Sequence, residues 1–528
     1  MIGCYSTLLN LPPYLRSEVK NIKLIFLCKE KDQRKYGWKE LLRVLIDDLK
    51  KMESVGITVD TDEGPIHFKC GFVAVFGDNL GSHGIGGYAE AFTALVNFIC
   101  RYCDMPFDEF LKEPTKIKPL RTIEEYAVCA SEAMETNKIV RGIKVNSPLN
   151  DLGVYKVSKP GLPPCIDHDI YEGFAPHDLW LCIESLVKEK CFDIDVLNFR
   201  LNDFQFESEA QKSIPKVNLK RVKGKPGKFS ETASQMKRIV MILPLVLADL
   251  MKESISPAIS NVWDMMILLK KICSTVSAPS LSHGQLILFR DDSKKYLELR
   301  VHCFPKVKLR PKHKFFMHYF DLIIWFGTLK FSSMIRFEAK HFYFQSATKH
   351  QKNYKNLTQS LAEKHERLQS INDNYCDVIC EPTQIAKFVS DDYQPQISSQ
   401  VMQYATALEM NDVNVSQLIT FRGVTHEKGM IVCVGKSIYG NYLICNIELI
   451  ILNNDRTDIS FVGNTEEIVL SEELGVYKIV KYEEQEKSCS TLSVFPYSSL
   501  LSAEPLLQTT IKTVPVLQAK YVPFDPDL

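Results

Sequence analysis

The chain has 528 residues, enough for three or four domains, and its 45% hydrophobic and 24% charged content is that of a globular protein, excluding a disordered or fibrous one. Lys+Arg and Asp+Glu both number 64, so no overall positive field draws it to nucleic acid or to an anionic membrane. Its 16 cysteines are scattered, and no signal peptide precedes them, which reads as reduced thiols of an intracellular protein.

Met1 leads directly into an apolar, strand-like run, Ile2 to Leu11, as if the chain were entered mid-domain. A Pro12-Pro13 turn and a second strand-like run, Ile22 to Cys28, follow. Trp38, Leu42, Leu45, Leu49 and Met52 are spaced by four and three, one apolar face of a helix that Gly56 would stop. Phe68 to Phe76 then reads as a buried strand ending in Gly77-Asp78-Asn79.

From Ala89 to Val301 helical patterns dominate, with a helix expected over Ala89–Tyr102 and a capping box at Thr122 and Glu125. Further helices are expected over Asp178–Lys190, Ser234–Leu250 and Val262–Cys273. The longest apolar run, Ile239 to Leu250, is too short to cross a bilayer and contains Pro244, so a buried helix is expected and no membrane span. Helical signals return between His318 and Phe344, and Tyr354–Gln369 is polar enough for an exposed helix leading out of the core. Beyond Asn374 the texture changes to short β-rich runs separated by Gly, Asn and Asp turns, which predicts a small barrel or sandwich. The expected domains are residues 1–88, 89–305, 306–373 and 374–528.

Asp78 leaves its expected strand beside small residues, where a carboxylate suits a metal ligand; taken alone, an Asp capping a turn is the simpler reading. Cys100 and Cys103 form a C-x-x-C pair, and Cys165 with His168 a C-x-x-H pair. Together they supply four ligands of the type that tetrahedral Zn²⁺ takes, or else four buried, unligated side chains. Glu338 and His341 fall one turn apart on a helix face, and Glu338 could complete a two-metal site with Asp78 or form an ordinary ion pair. His313 and His318 alternate with aromatics and bases, and core packing is the simpler reading. Two basic runs offer local DNA contacts or solvated loops: Lys220, Arg221, Lys223, Lys225 and Lys228, then Lys306, Lys308, Arg310, Lys312 and Lys314. The glycines that follow Asp78 fit neither a P-loop nor a dinucleotide fingerprint.

Several of these signals occur in one order that resembles the transposases of CACTA-type (En/Spm-like) elements. The matching stretches are Asn10-Leu11-Pro12-Pro13, Gly77-Asp78-Asn79-Leu80-Gly81 with Gly86-Gly87-Tyr88, Cys100-Arg101-Tyr102-Cys103, His168-Asp169 with Glu172-Gly173, Pro311-Lys312-His313 with His318-Tyr319, and Arg336-Phe337-Glu338-Ala339-Lys340-His341. They span residues 1–345, and the β-rich tail resembles the family only in texture.

The resemblance implies an incomplete α/β core, RNase H-like and of the DDE type, with a large α-helical insertion and a small C-terminal all-β domain. By position Asp78 matches the second aspartate and Glu338 the glutamate. Cys100 and Cys103 match a C-x-x-C element, Cys165 and His168 a [C/D]-x-x-H element. In such enzymes three carboxylates hold two Mg²⁺ ions for DNA strand cleavage and transfer. The first aspartate would lie on a strand before the segment with which this chain begins, and no Asp precedes Asp32.

The expectation is therefore a transposase-derived, catalytically inert nuclear protein with weak DNA contacts, self-association or association with an intact transposase, and a structural Zn²⁺. A non-enzymatic interaction scaffold is the alternative, and a nuclease using Asp169 or Glu172 as the third acid is a further one.

Overall fold

A computed structural model of the chain describes residues 1–92, 97–159, 161–206, 216–219, 226–251, 256–350, 355–374, 383–388, 413–453, 458–480, 492–511 and 514–521. Strands Ile2–Ser6 and Lys23–Cys28 pair antiparallel, and the helix Glu30–Ser54 follows, kinked at Gly37, where φ is +72°. This helix buries Leu42 and Ile46 against Tyr88, Tyr126, Ile143 and Leu149. Next comes a hairpin, Ile57–Thr61 with Gly64–Phe68, which projects from the surface.

The strand expected over Phe68–Phe76 is not formed, because only Phe68 belongs to a strand. A strand needs a neighbour to satisfy its backbone, and among the described residues this segment does not join the Ile2–Ser6 and Lys23–Cys28 pair. The N–H of Val75 instead donates to the carbonyl of Gly161. The first 88 residues thus hold two separate antiparallel pairs rather than one continuous sheet.

The helix expected over Ala89–Tyr102 is also replaced. Residues 89–92 and 97–102 are irregular, with Tyr88 bridging to Ile143, the Phe107 N–H donating to the Asn97 carbonyl, and Arg121 donating to the Cys100 carbonyl.

Helices Ile123–Thr136, Ala175–Lys188, Ile194–Asp203, Ala233–Leu247, Pro257–Val276 and His283–Cys303 build the central body. Capping boxes at Thr122 with Glu125, Thr232 with Gln235 and Ser282 with Gln285 start three of them, satisfying backbone donors that a helix end leaves free. The apolar run with Pro244 is buried in this core, and among the described residues no helix is long and apolar enough to cross a membrane.

The chain then returns to its beginning. The helix Ile335–His350 lies on the N-terminal pair through Tyr5, whose ring is 6.2 Å from Phe344 and whose hydroxyl is 2.7 Å from His341 Nδ1. The helix Leu357–Asn374, expected to be exposed, packs on strand Lys23–Cys28 with Leu361 and His365 buried. An apolar position and a histidine four residues apart on one face are enough to dock an otherwise polar helix.

The C-terminal region is a curled antiparallel sheet of ten strands, larger than the small barrel or sandwich expected. Its long strands Tyr442–Asn453 and Ile459–Ser471 each pair with two shorter strands along one edge, which forks the sheet. Val476 and Val516 from this sheet belong to the same hydrophobic core as the central helices.

Candidate functional site

Asp78 is the N-cap of the helix Asn79–Ile85, its carboxylate accepting the Gly81 N–H at 2.6 Å. Gly87 sits at φ +74°, and a Cβ there would lie 2.0 Å from the Val145 carbonyl, so the glycines of this motif answer to backbone crowding.

The next residue, Asn79, opens a buried polar network. It donates to Asp169 Oδ1 at 2.5 Å and accepts from Arg101 Nη1 at 2.7 Å, while the Tyr319 hydroxyl donates to Asp169 Oδ2 at 3.0 Å. Four motifs far apart in sequence are thereby fastened together. Burial raises the Asp169 carboxyl above its usual range, opposed by Arg101 and Asn79. Fully enclosed and committed to these donors, Asp169 is not available as a third acid.

Residues Asp167–Phe174 form a wide π-type helical segment running into the helix Ala175–Lys188. This geometry places several polar side chains toward Ile335–His350. His168 Nε2 is 3.4 Å from Glu338 Oε1 and 4.0 Å from Glu172 Oε2, and Ser333 Oγ donates to Asp167 Oδ2 at 2.6 Å. Burial raises the Glu338 carboxyl; His168 opposes the shift, and the charges of Glu172, Asp167 and Asp78 add to it. The segments that carry Asp78 and Glu338 lie side by side, Phe76 stacking on Phe337 with ring centroids 6.4 Å apart.

The four-ligand set expected for zinc is divided. Cys100 and Cys103 are joined by His318, the ligand atoms of all three lying within 4.8 Å of one another and all three side chains buried. Cys165 and His168 pair with each other, Sγ to Nδ1 at 3.2 Å, on the Glu338 side. The two pairs part because Tyr102, beside Cys100, packs on Phe315 and His318, whereas the π-type segment turns His168 toward Glu338.

Neither ring nitrogen of His318 has a hydrogen-bond partner, an arrangement that costs free energy unless something binds there. Burial opposes ionisation of Cys100, yet Cys103, His318 and the Lys314 ammonium hold its thiol well below the ordinary value; Cys103, whose thiol is hydrogen-bonded to Cys100, is pushed up. Lys314 Nζ lies 3.3 Å from Cys103 Sγ on the remaining side. The donors fit a soft, tetrahedral metal with three protein ligands. Among the described residues this is the one group of three or more such side chains with ligand atoms so close, and the carboxylates around Glu338 do not form another.

Sequence reasoning set His318 aside as core packing. Its signal was the alternation of histidines with aromatics, which His313 shares. His313 is buried elsewhere, with Nε2 at 2.8 Å from Asp178, a carboxylate that Arg300 and Tyr296 also contact.

Of the basic runs, Lys220, Arg221, Lys223 and Lys225 lie outside the described residues. Lys306, Lys308 and Arg310 are exposed, but Lys312 is half-buried and donates to the His168 carbonyl, so it anchors the π-type segment instead of facing solvent. No known family model matches the chain, and no curated protein matches it.

Proposed function

We propose that the chain is a transposase-derived protein that holds DNA and does not cut it. The observation that carries this reading is that His168 lies 3.4 Å from Glu338 and 4.0 Å from Glu172, while Phe76 and Phe337, from the segments that carry Asp78 and Glu338, stack 6.4 Å apart. Asp78, His168, Glu172 and Glu338 belong to the motifs of the CACTA resemblance, and an RNase H-like ancestry of the core accounts for their order. The exposed Lys306, Lys308 and Arg310 would supply duplex phosphate contacts.

Cleavage is not expected, because two Mg²⁺ ions demand several oxygens in near-octahedral arrangement. Asp78 is engaged in capping and Glu338 is paired with His168, so the acids do not converge on a common point. The residues present do not fit a preformed Mg²⁺ site. A structural Zn²⁺ held by Cys100, Cys103 and His318 would instead tie the helical insertion to the returning segment, and the nucleus is the compartment in which such a protein would meet DNA.

Supercoiled plasmid incubated with the protein in Mg²⁺ or Mn²⁺ tests this. Wild type, Asp78→Ala and Glu338→Ala are all expected to leave it intact. Nicking by the wild type that Glu338→Ala abolishes would overturn the reading and make Asp167 or Glu172 the missing acid. A pull-down from nuclear extract that recovers proteins without DNA would favour the interaction scaffold; recovery of DNA supports the proposal.

A further inference from the structure

A cleft of about 1340 Å³ runs between the N-terminal turn, the central helices and the β-rich region, larger than the roughly 300–1,000 Å³ of small-molecule pockets. Five cations line it: Arg16, Lys237, Lys330, Arg336 and Arg422. Its acids are two, Asp167 and Glu504, and Glu504 is already held by Lys520 at 2.8 Å and by the Tyr521 hydroxyl at 3.3 Å. Arg336 and Arg422 have no acidic partner among the described residues. Burial pushes Lys237 down, and Lys330 down to about 8, and Glu504, 4.0 Å from the Lys330 ammonium, opposes both shifts without offsetting them.

Between these cations stand aromatic rings: Tyr14, Phe76, Phe331, Phe337 and Tyr521. Arg16 lies over the Phe331 ring at 5.5 Å and Lys330 over Tyr521 at 4.3 Å. Cations alternating with rings are the pattern that a single nucleic-acid strand needs, phosphates on the charges and base faces on the rings. A duplex would not use the rings, because its base faces are covered by their neighbours.

Resting on the DNA-holding reading above, we propose that this cleft binds an unpaired DNA strand and leads it past Glu338, whose neighbours Arg336 and Phe337 form one wall. The β-rich region, which supplies Arg422, Glu504 and Tyr521, is then part of the binding site.

Fluorescence anisotropy with a fluorescein-labelled oligothymidylate, alongside a labelled duplex, tests the proposal on the full chain. The double variant Arg336→Glu/Arg422→Glu changes two surface side chains and should keep the wild-type melting temperature. It is expected to weaken oligothymidylate binding at least about tenfold and to flatten the salt dependence by about 0.7 per lost phosphate contact, leaving duplex binding nearly unchanged. Phe331→Ala should weaken the single strand by about tenfold through lost stacking. Lys306→Glu/Lys308→Glu should do the reverse, weakening the duplex alone.

Unchanged oligothymidylate affinity in the folded Arg336→Glu/Arg422→Glu variant would overturn the proposal. Duplex binding without any single-strand binding would defeat the cleft proposal and leave the DNA-holding reading standing. Loss of both in the wild type would defeat both.

Discussion

Lys270 lies within the helix Pro257–Val276, 4% exposed, and its ammonium donates to the carbonyl of Leu474 at 2.8 Å. Burial pushes the amine down to about 7 from the ordinary 10.5. The unfolded chain therefore binds the extra proton between those values, so the penalty is full below about pH 7 and fades as pH rises. Lys270→Met is expected to stabilise the protein by on the order of 1–3 kcal/mol at about pH 6, with the advantage shrinking between about pH 7 and 9. Denaturant unfolding of both proteins across that range measures it, and a variant weaker at every pH would mean that the bond to Leu474 outweighs the burial cost. Asp178 is the opposite case. Burial disfavours its charge, but His313 and Arg300, each at 2.8 Å, hold its carboxyl well below the usual range. A depressed acid contributes stability at neutral pH and loses it only as pH falls toward its folded value. Asp178→Ala should cost about 3–5 kcal/mol at neutral pH, because Arg300 would be left buried without a partner.

At the scale of elements, the C-x-x-C knuckle and the segment Pro311–Phe316 with His318 are the pieces whose joining a metal would explain. The purified protein is expected to carry one zinc per chain by elemental analysis. Cys100→Ser and His318→Ala should lose it and melt several degrees lower, while Cys165→Ser should keep it. Zinc lost in Cys165→Ser would restore the four-ligand set expected from sequence. Zinc absent from a reduced, intact wild type would leave two buried thiols and an unsatisfied histidine.

For the whole molecule, the β-rich region is not an independent appendage. Val476 and Val516 sit in the core of the central helices, Thr509 donates to the Gln205 carbonyl, and Lys330 donates to the Tyr521 hydroxyl at 2.7 Å. A shared core of this kind unfolds as one unit. Differential scanning calorimetry should show a single transition for the central and C-terminal regions, and residues 1–374 expressed alone should be much less stable than the full chain. Two well-separated transitions would show that the interface contributes little.

What the sequence determined by itself is what neighbours along the chain decide. Thr122 and Glu125 sit three residues apart and cap each other whatever lies elsewhere, and the β-rich runs after Asn374 carry their own alternation. Tertiary structure decided everything that depended on a distant partner. The segment before Asp78 had a strand's composition but found no strand to pair with. Asp169, a candidate acid in the sequence, was taken into the core by Asn79 and Tyr319, while Asp167, two residues earlier, reached the cleft. The side chain that joins Cys100 and Cys103 is His318 and not a member of the C-x-x-H pair nearer in sequence. Composition and spacing describe which donors a chain owns; only packing determines which of them face the same point, because burial and hydrogen bonding choose among donors that are chemically alike.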